Sequence, residues 1–147
     1  MQKRRIVFGI LLIAIAVSIL ALTFQDEEGS MNLSERFRHL LDRIGISSNS
    51  HGVRSNIHLP IYFVLGIVIC LFGRASGWNW WVIILVGCAF GLMDESIKNW
   101  LPAREFDLID LTKDWIGIVT SAGLVALIEH RRNNQSKEKS IVVEGKG

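Results

Sequence analysis

The sequence predicts an all-α membrane protein, a bundle of four transmembrane helices with an amphipathic helix at its outer face. Its 147 residues suffice for one domain. Apolar residues are concentrated in four runs, and the charged residues are crowded into the gaps between them. The first run, residues 6–24, contains 19 residues without a charge, which is the length that crosses hydrocarbon as a helix.

The distribution of charge predicts the topology. The net charge is only +2 and no long basic block occurs, so nucleic acid is not an expected partner. If the N-terminus, the turn at Arg74 and the tail after His130 share one side, that side has nine Lys/Arg against three Asp/Glu. The other side has seven against eleven. The positive-inside rule therefore predicts that both termini are cytoplasmic.

The first helix, residues 6–24, is predicted to be an uncleaved anchor. Its basic start is typical of a signal peptide, but the apolar run is longer than a usual h-region and residues 21–23 make a poor cleavage site. Residues 25–56 are polar, and within them apolar residues recur along one helix face from Leu33 to Ile44. This amphipathic helix, about residues 33–44, either lies on the outer interface or packs on the bundle as a lid.

The other helices are predicted over about 54–73, 78–97 and 109–128. Their apolar runs hold only 16, 16 and 14 residues, whereas a crossing needs about 20. Because Arg74, a tryptophan cluster and the charges from Glu129 onward mark the inner ends, each helix must extend at its outer end. Residues 1–130 thus form one transmembrane domain, and residues 131–147 are predicted to be a disordered cytoplasmic tail.

The extended outer ends predict a polar site. Ionisable residues on helices 2 and 4 recur at intervals of three or four, so each set shares one helix face. Charges within a bilayer are costly, and we expect these groups to face one another or trapped water. In the alternative, the bilayer is thinned and they are ordinary solvated helix ends. The candidate ligand-binding residues are Arg54, His58, Tyr62, Asp94, Glu95, Lys98, Arg104, Asp107, Asp110 and Asp114.

The order of these residues resembles a family signature. The chain reads Asp94-Glu95-Ser-Ile-Lys98, then Pro102-Ala-Arg104, then Asp107, Asp110 and Asp114 before Gly117. This resembles the VanZ-like family, whose signature is Asp-Glu-x-x-Gln, Pro-Gly-Arg and Asp-x-x-x-Asn-x-x-Gly. Earlier landmarks match in order over about residues 6–126, namely Gln25, Ser34 and Arg54-x-x-x-His58-x-x-x-Tyr62. Three positions depart from the family, with Lys98 for Gln, Ala103 for Gly and Asp114 for Asn.

The resemblance implies a bacterial inner-membrane protein of four or five helices with a role in the cell envelope. The named member of the family is associated with low-level resistance to the glycopeptide teicoplanin. The expected partners are therefore the lipid bilayer and an envelope lipid, a lipid-linked precursor or a glycopeptide. The departures at Lys98 and Asp114 add one positive and one negative charge, and they either compensate each other or alter the ligand.

Two site-based functions follow. In the first, the outer-leaflet site binds or modifies such a ligand, since cations hold phosphates or carboxylates. In the second, His58 is the general base of a membrane hydrolase or transferase, and Asp94 or Glu95 is its orienting partner or the acid. The cations assigned to a phosphate or carboxylate are Arg54, His58, Lys98 and Arg104.

A third function needs no ligand. The chain would be a non-catalytic scaffold that meets other membrane proteins through the small-residue pairs Gly87/Gly91 and Gly117/Ser121. Whether the chain is an enzyme stays open, and no cofactor is assigned. The acidic residues are compatible with a divalent metal, but the sequence does not predict one.

Overall fold

The computed structural model describes the backbone of residues 2–24, 50–101 and 106–144, and the side chains of these residues except 50–57 and 139–144. Regular structure in these ranges is entirely helical. The helices are α1 (Gln2–Thr23), α2 (Ser50–Ala75), α3 (Trp80–Lys98) and α4 (Leu108–Glu144). Each contains a segment long and apolar enough to cross a membrane, which confirms the predicted fold class. The predicted amphipathic helix, 33–44, lies outside the described residues.

The four helices alternate in direction. α2 is central and packs against each of the other three, while α3 also packs on α4. A turn joins α2 to α3, in which the Trp78 amide donates to the Gly73 carbonyl at 2.8 Å and Gly77 adopts a φ of 80°. Glycine favours this left-handed backbone because it lacks a Cβ. Asn79 then caps α3, its side chain accepting from the Val82 amide at 3.0 Å.

The length of α4 corrects one prediction. The helix continues to Glu144, whereas the sequence predicted an end near Ile128 and a disordered tail over 131–147. Seven of the 15 residues from His130 to Glu144 are Arg, Gln, Lys or Glu, which lose little side-chain freedom in a helix. Residues 131–138 are exposed, so this part of α4 is helical without packing on the bundle.

Small residues let the helices approach closely. A Cβ on Gly117 would lie 2.8 Å from the Leu59 carbonyl oxygen and 2.9 Å from the Phe63 amide nitrogen, so the backbones of α2 and α4 nearly touch. A Cβ on Gly87 would lie 2.6 Å from a side-chain carbon of Ile118. The pairs Gly87/Gly91 and Gly117/Ser121 are therefore buried between helices of this chain. They do not form the surface for partner proteins that the scaffold hypothesis required.

The bundle exposes large apolar side chains and buries several ionisable ones, unlike a water-soluble protein. Asp94, Glu95 and Asp114 are at most 1% exposed, whereas Leu85 and Leu108 are 68% exposed. Water-soluble proteins rarely expose such extended apolar surface. In a bilayer the same surface faces lipid and polar side chains turn inward. Burial therefore agrees with helix length that this is a membrane protein.

The two ends of the bundle differ in chemistry. At one end, Arg74 Nε lies 3.1 Å from Glu129 Oε2, and the Arg74 guanidinium lies 5.1 Å from the centre of the Trp80 ring. The opposite end, which we call the charged end, contains the C-terminal residues of α1 and α3 and the beginnings of α2 and α4. Those ionisable residues singled out in the sequence whose side chains are described lie at the charged end.

Candidate functional site

Side chains from all four helices meet at the charged end. We call this group the polar cluster, and it contains most of the residues that the sequence singled out. Its deepest members are carboxylates, although deep positions in a bundle usually hold apolar residues. Its members are Thr23 from α1, His58 and Tyr62 from α2, Asp94, Glu95 and Lys98 from α3, and Asp107, Asp110, Lys113 and Asp114 at the start of α4.

Asp94 joins three helices. The Tyr62 hydroxyl donates to Asp94 Oδ2 at 2.9 Å, and the Thr23 hydroxyl donates to Asp94 Oδ1. Both oxygens of this buried carboxylate therefore accept a hydrogen bond, as a buried polar group requires. The arrangement ties the end of α1 to α2 through a single side chain of α3.

Glu95 connects α3 to the beginning of α4. Its Oε2 accepts from Lys98 Nζ at 2.6 Å, and its Oε1 accepts from the Asp107 backbone amide at 2.8 Å. Glu95 and Lys98 are both buried, so this is a desolvated ion pair. Asp107 is exposed and caps α4, because its Oδ1 accepts from the Ile109 amide at 2.7 Å. These contacts give Glu95 and Asp107 structural roles.

His58 is paired with Asp114. The distance from His58 Nδ1 to Asp114 Oδ1 is 3.1 Å. On the other side of the ring, Nε2 lies 3.4 Å from Lys98 Nζ and 3.8 Å from Asp110 Oδ2. The sequence predicts Asp94 or Glu95 as the orienting partner of His58 or as the acid. The carboxylate that contacts Nδ1 is instead Asp114, and the other two accept hydrogen bonds from Tyr62, Thr23, Lys98 and the Asp107 amide.

The polar cluster has a partly exposed rim and a buried floor. The side chains of His58, Asp110 and Lys113 are 18%, 17% and 21% exposed. Asp94, Glu95 and Asp114 form the floor. Lys113 Nζ lies 3.5 Å from Asp110 Oδ1, so the rim contains an ion pair of its own. A polar group of a ligand can approach His58 from the partly exposed rim, and the buried carboxylates of the floor then lie beneath it.

Negative charge is in excess. The described members of the polar cluster include the carboxylates of Asp94, Glu95, Asp107, Asp110 and Asp114 but only two lysines. One oxygen of Asp114, Oδ2, is buried without a hydrogen-bond partner among the described residues. Buried charges are normally paired or bind a metal. His58, Asp94 and Asp114 each present one potential ligand atom within 4.8 Å of the others.

Two members escaped the sequence analysis. Thr23 ends α1 and its hydroxyl donates to Asp94, although the sequence draws attention to it only within a poor cleavage site. Lys113 is not among the predicted site residues, although it lies three residues after Asp110, a spacing at which helical ion pairs form. Two predicted site residues cannot be added to this geometry, since Arg104 and the side chain of Arg54 lie outside the described part of the chain.

No family model, no curated protein and no solved structure matches the chain.

Proposed function

We propose that this chain is a VanZ-like protein of the bacterial inner membrane, whose polar cluster binds the polar head of an envelope lipid, a lipid-linked precursor or a glycopeptide. The observation that carries the proposal is the convergence of ionisable side chains from separate helices at one end of an apolar bundle. Placing ionisable side chains within a membrane costs free energy, so a group of them usually marks a functional site.

The surroundings of the rim favour an amphipathic ligand. Leu108 and Ile109 precede Asp110 on α4 and are largely exposed, as is Trp100 beyond the end of α3. These side chains offer apolar contact beside the rim. A ligand with a polar head and an acyl or prenyl tail would place its head against His58 and Asp110 while its tail stays in lipid.

The charge of the polar cluster narrows the head-group chemistry. Lys98, which the sequence assigned to a phosphate, is buried and bonded to Glu95. The rim carboxylate of Asp110 accepts hydrogen bonds but repels anions. We therefore assign hydroxyl, amide or ammonium groups of the ligand to His58 and Asp110. Arg54 and Arg104 remain the candidates for a phosphate, since the sequence places both at this end of the bundle.

The proposal includes the orientation of the chain in the membrane. Basic residues outnumber acidic ones by nine to three on the side of the termini, and the opposite holds at the charged end. By the positive-inside rule both termini are cytoplasmic and the polar cluster lies in the outer leaflet. Envelope precursors and glycopeptides are accessible from that side.

Photo-crosslinking tests the binding proposal. We expect a photoreactive prenyl-pyrophosphate-linked muropeptide, or a photoreactive teicoplanin, to label the purified chain in nanodiscs. Asp110→Asn and His58→Gln should each weaken labelling about tenfold, because a hydrogen bond to a charged group contributes about 1.5 kcal/mol or more. Glu129→Gln removes a charge at the opposite end and should leave labelling unchanged. Equal labelling of all variants, or none of the wild type by either probe, would contradict the proposal.

A second candidate function is hydrolysis or group transfer. The observation that favours it is the His58–Asp114 pair, in which the carboxylate on Nδ1 leaves Nε2 directed towards the partly exposed rim. A histidine oriented in this way can act as a general base. The sequence offers Ser30 and Ser34 as nucleophiles on the predicted outer side, and both lie outside the described residues.

Turnover of a labelled precursor distinguishes catalysis from binding. If the chain is an enzyme, His58→Gln should lower the rate about 10²–10⁴-fold, the usual contribution of general acid–base catalysis. Lys113→Gln alters the same rim without touching the imidazole and should retain most of the rate. Product formation at the wild-type rate by His58→Gln would exclude a general-base role.

A further inference from the structure

We propose that His58, Asp94 and Asp114 form a binding site for a divalent transition-metal ion, with Zn²⁺ as the best match. This inference does not depend on the lipid or glycopeptide proposed above. The three residues come from α2, α3 and α4, and one ligand atom of each lies within 4.8 Å of the other two. The site therefore lies where the three helices converge.

The distances suit a metal of this size. Zn–N and Zn–O bonds of about 2.0–2.2 Å place the ligands of a tetrahedral ion about 3.4 Å apart. His58 Nδ1 and Asp114 Oδ1 are already 3.1 Å apart. All the ligand atoms lie within 4.8 Å of one another, so the longer separations shorten by at most about 1.4 Å when the metal binds.

An independent observation points to a ligand at this place. Asp114 is fully buried, yet its Oδ2 has no hydrogen-bond partner among the described residues. The nearest buried cation of the polar cluster, Lys98, is bonded to Glu95 at 2.6 Å. An orphaned oxygen on a buried carboxylate is costly unless a proton or a cation binds it. A divalent ion held by Asp94 and Asp114 supplies the missing positive charge.

The surroundings would orient the ligands. The Tyr62 and Thr23 hydroxyls both donate to Asp94, which fixes the position of its carboxylate. Asp110 lies on the Nε2 side of the His58 ring at 3.8 Å. Metal-binding histidines usually turn their second ring nitrogen to such a carboxylate. The two hydroxyls and the Asp110 carboxylate are outer-sphere partners of the kind that such sites use, and Lys98 Nζ also lies 3.4 Å from Nε2.

The ligand set selects the class of metal. Imidazole suits Zn²⁺ and other transition metals, whereas Mg²⁺ and Ca²⁺ prefer sites made of oxygen alone. One nitrogen and two carboxylates therefore favour Zn²⁺ over Mg²⁺. Three protein ligands leave a fourth coordination position, as in zinc sites that bind a water or a substrate.

Metal titration of the chelator-treated full chain in nanodiscs tests the site, with Zn²⁺ alone as the probe and a competing fluorescent chelator as the readout. We expect one Zn²⁺ per chain in the micromolar range or tighter and no competition by millimolar Mg²⁺. Asp114→Asn should weaken binding more than about 100-fold, because even outer-sphere changes cost about 10–100-fold. Glu129→Gln is the control, since it removes a carboxylate at the opposite end of the bundle, where it pairs with Arg74.

Three further results test the proposed metal site. Co²⁺ bound to the wild-type chain should give the visible spectrum of tetrahedral nitrogen and oxygen coordination, and this measurement does not require any variant to fold. Failure of the wild type to bind Zn²⁺ would overturn the proposal. The excess negative charge of the polar cluster would then be neutralised by a bound proton. An equal loss in Glu129→Gln and Asp114→Asn would also overturn it, because the binding would then be nonspecific. The crosslinking test can be run in the presence of chelator, so its outcome is independent of these results.

Discussion

Replacing Lys98 with methionine is expected to destabilise the folded chain by about 3–5 kcal/mol, the usual cost of removing one partner of a buried ion pair. Lys98 Nζ donates to Glu95 Oε2 at 2.6 Å, and both residues are buried. The substitution preserves most of the side-chain volume but leaves the Glu95 carboxylate without its cation. Unfolding of the purified protein in detergent, followed by helical circular dichroism, measures the loss.

A double substitution separates charge from packing. In Glu95→Gln/Lys98→Met the buried charge is gone, while Gln Oε1 can still accept from the Asp107 amide as Glu95 does. Most of the stability should return, because removing both partners of a buried pair is often close to neutral. Lys113→Met, at the partly exposed pair with Asp110, should cost less than about 1 kcal/mol. A double variant as unstable as the single one would show that the unpaired Glu95 charge does not cause the loss.

Replacing Gly117 with leucine is expected to destabilise the bundle by about 3 kcal/mol or more, at the upper end of the overpacking effects seen in close-packed interiors. The first added carbon would already lie 2.8 Å from the Leu59 oxygen and 2.9 Å from the Phe63 nitrogen. Both atoms belong to the backbone of α2, so no side-chain rotation relieves the contact and the helices must separate. Detergent unfolding measures this loss as well.

Gly123→Leu provides the matched control on the same helix. A Cβ at Gly123 meets no atom within 4 Å among the described residues, and leucine favours helix more than glycine does by about 0.5–1 kcal/mol. We therefore expect this variant to be as stable as the wild type or slightly more stable. If Gly117→Leu behaves like Gly123→Leu, the close approach of α2 and α4 does not stabilise the fold.

The glycine contacts and the polar cluster depend on the same helix spacing. Gly117 lies three residues after Asp114, and it faces the segment of α2 that follows His58. A Cβ on Gly91 would lie 3.3 Å from the Asp114 Cβ and 3.5 Å from the Tyr62 ring. Separation of α2 from α4 would lengthen the distance between His58 and Asp114. Gly117→Leu should therefore weaken any function that uses this pair, even where the variant still inserts into membranes.

The sequence alone was sufficient to predict the four helices and to place the polar residues within the bundle. The length of an apolar run and the position of its flanking charges are local properties, and the energy of crossing a bilayer depends on them directly. The shortfall of the last three runs predicted that ionisable groups enter the bundle at one end. Asp94, Glu95 and Asp114 are indeed buried there.

Only the tertiary structure decided which groups meet. A helical period assigns a residue to a face, but it does not specify which neighbouring helix that face contacts or how closely. The pairing of His58 with Asp114, and the place of Thr23 beside Asp94, result from the rotation of each helix about its axis. That rotation is determined by contacts between residues far apart in sequence, among them the approach of Gly117 to the α2 backbone. Local propensity and hydropathy contain no term for such contacts, so the partners within the site emerge only when the helices are packed.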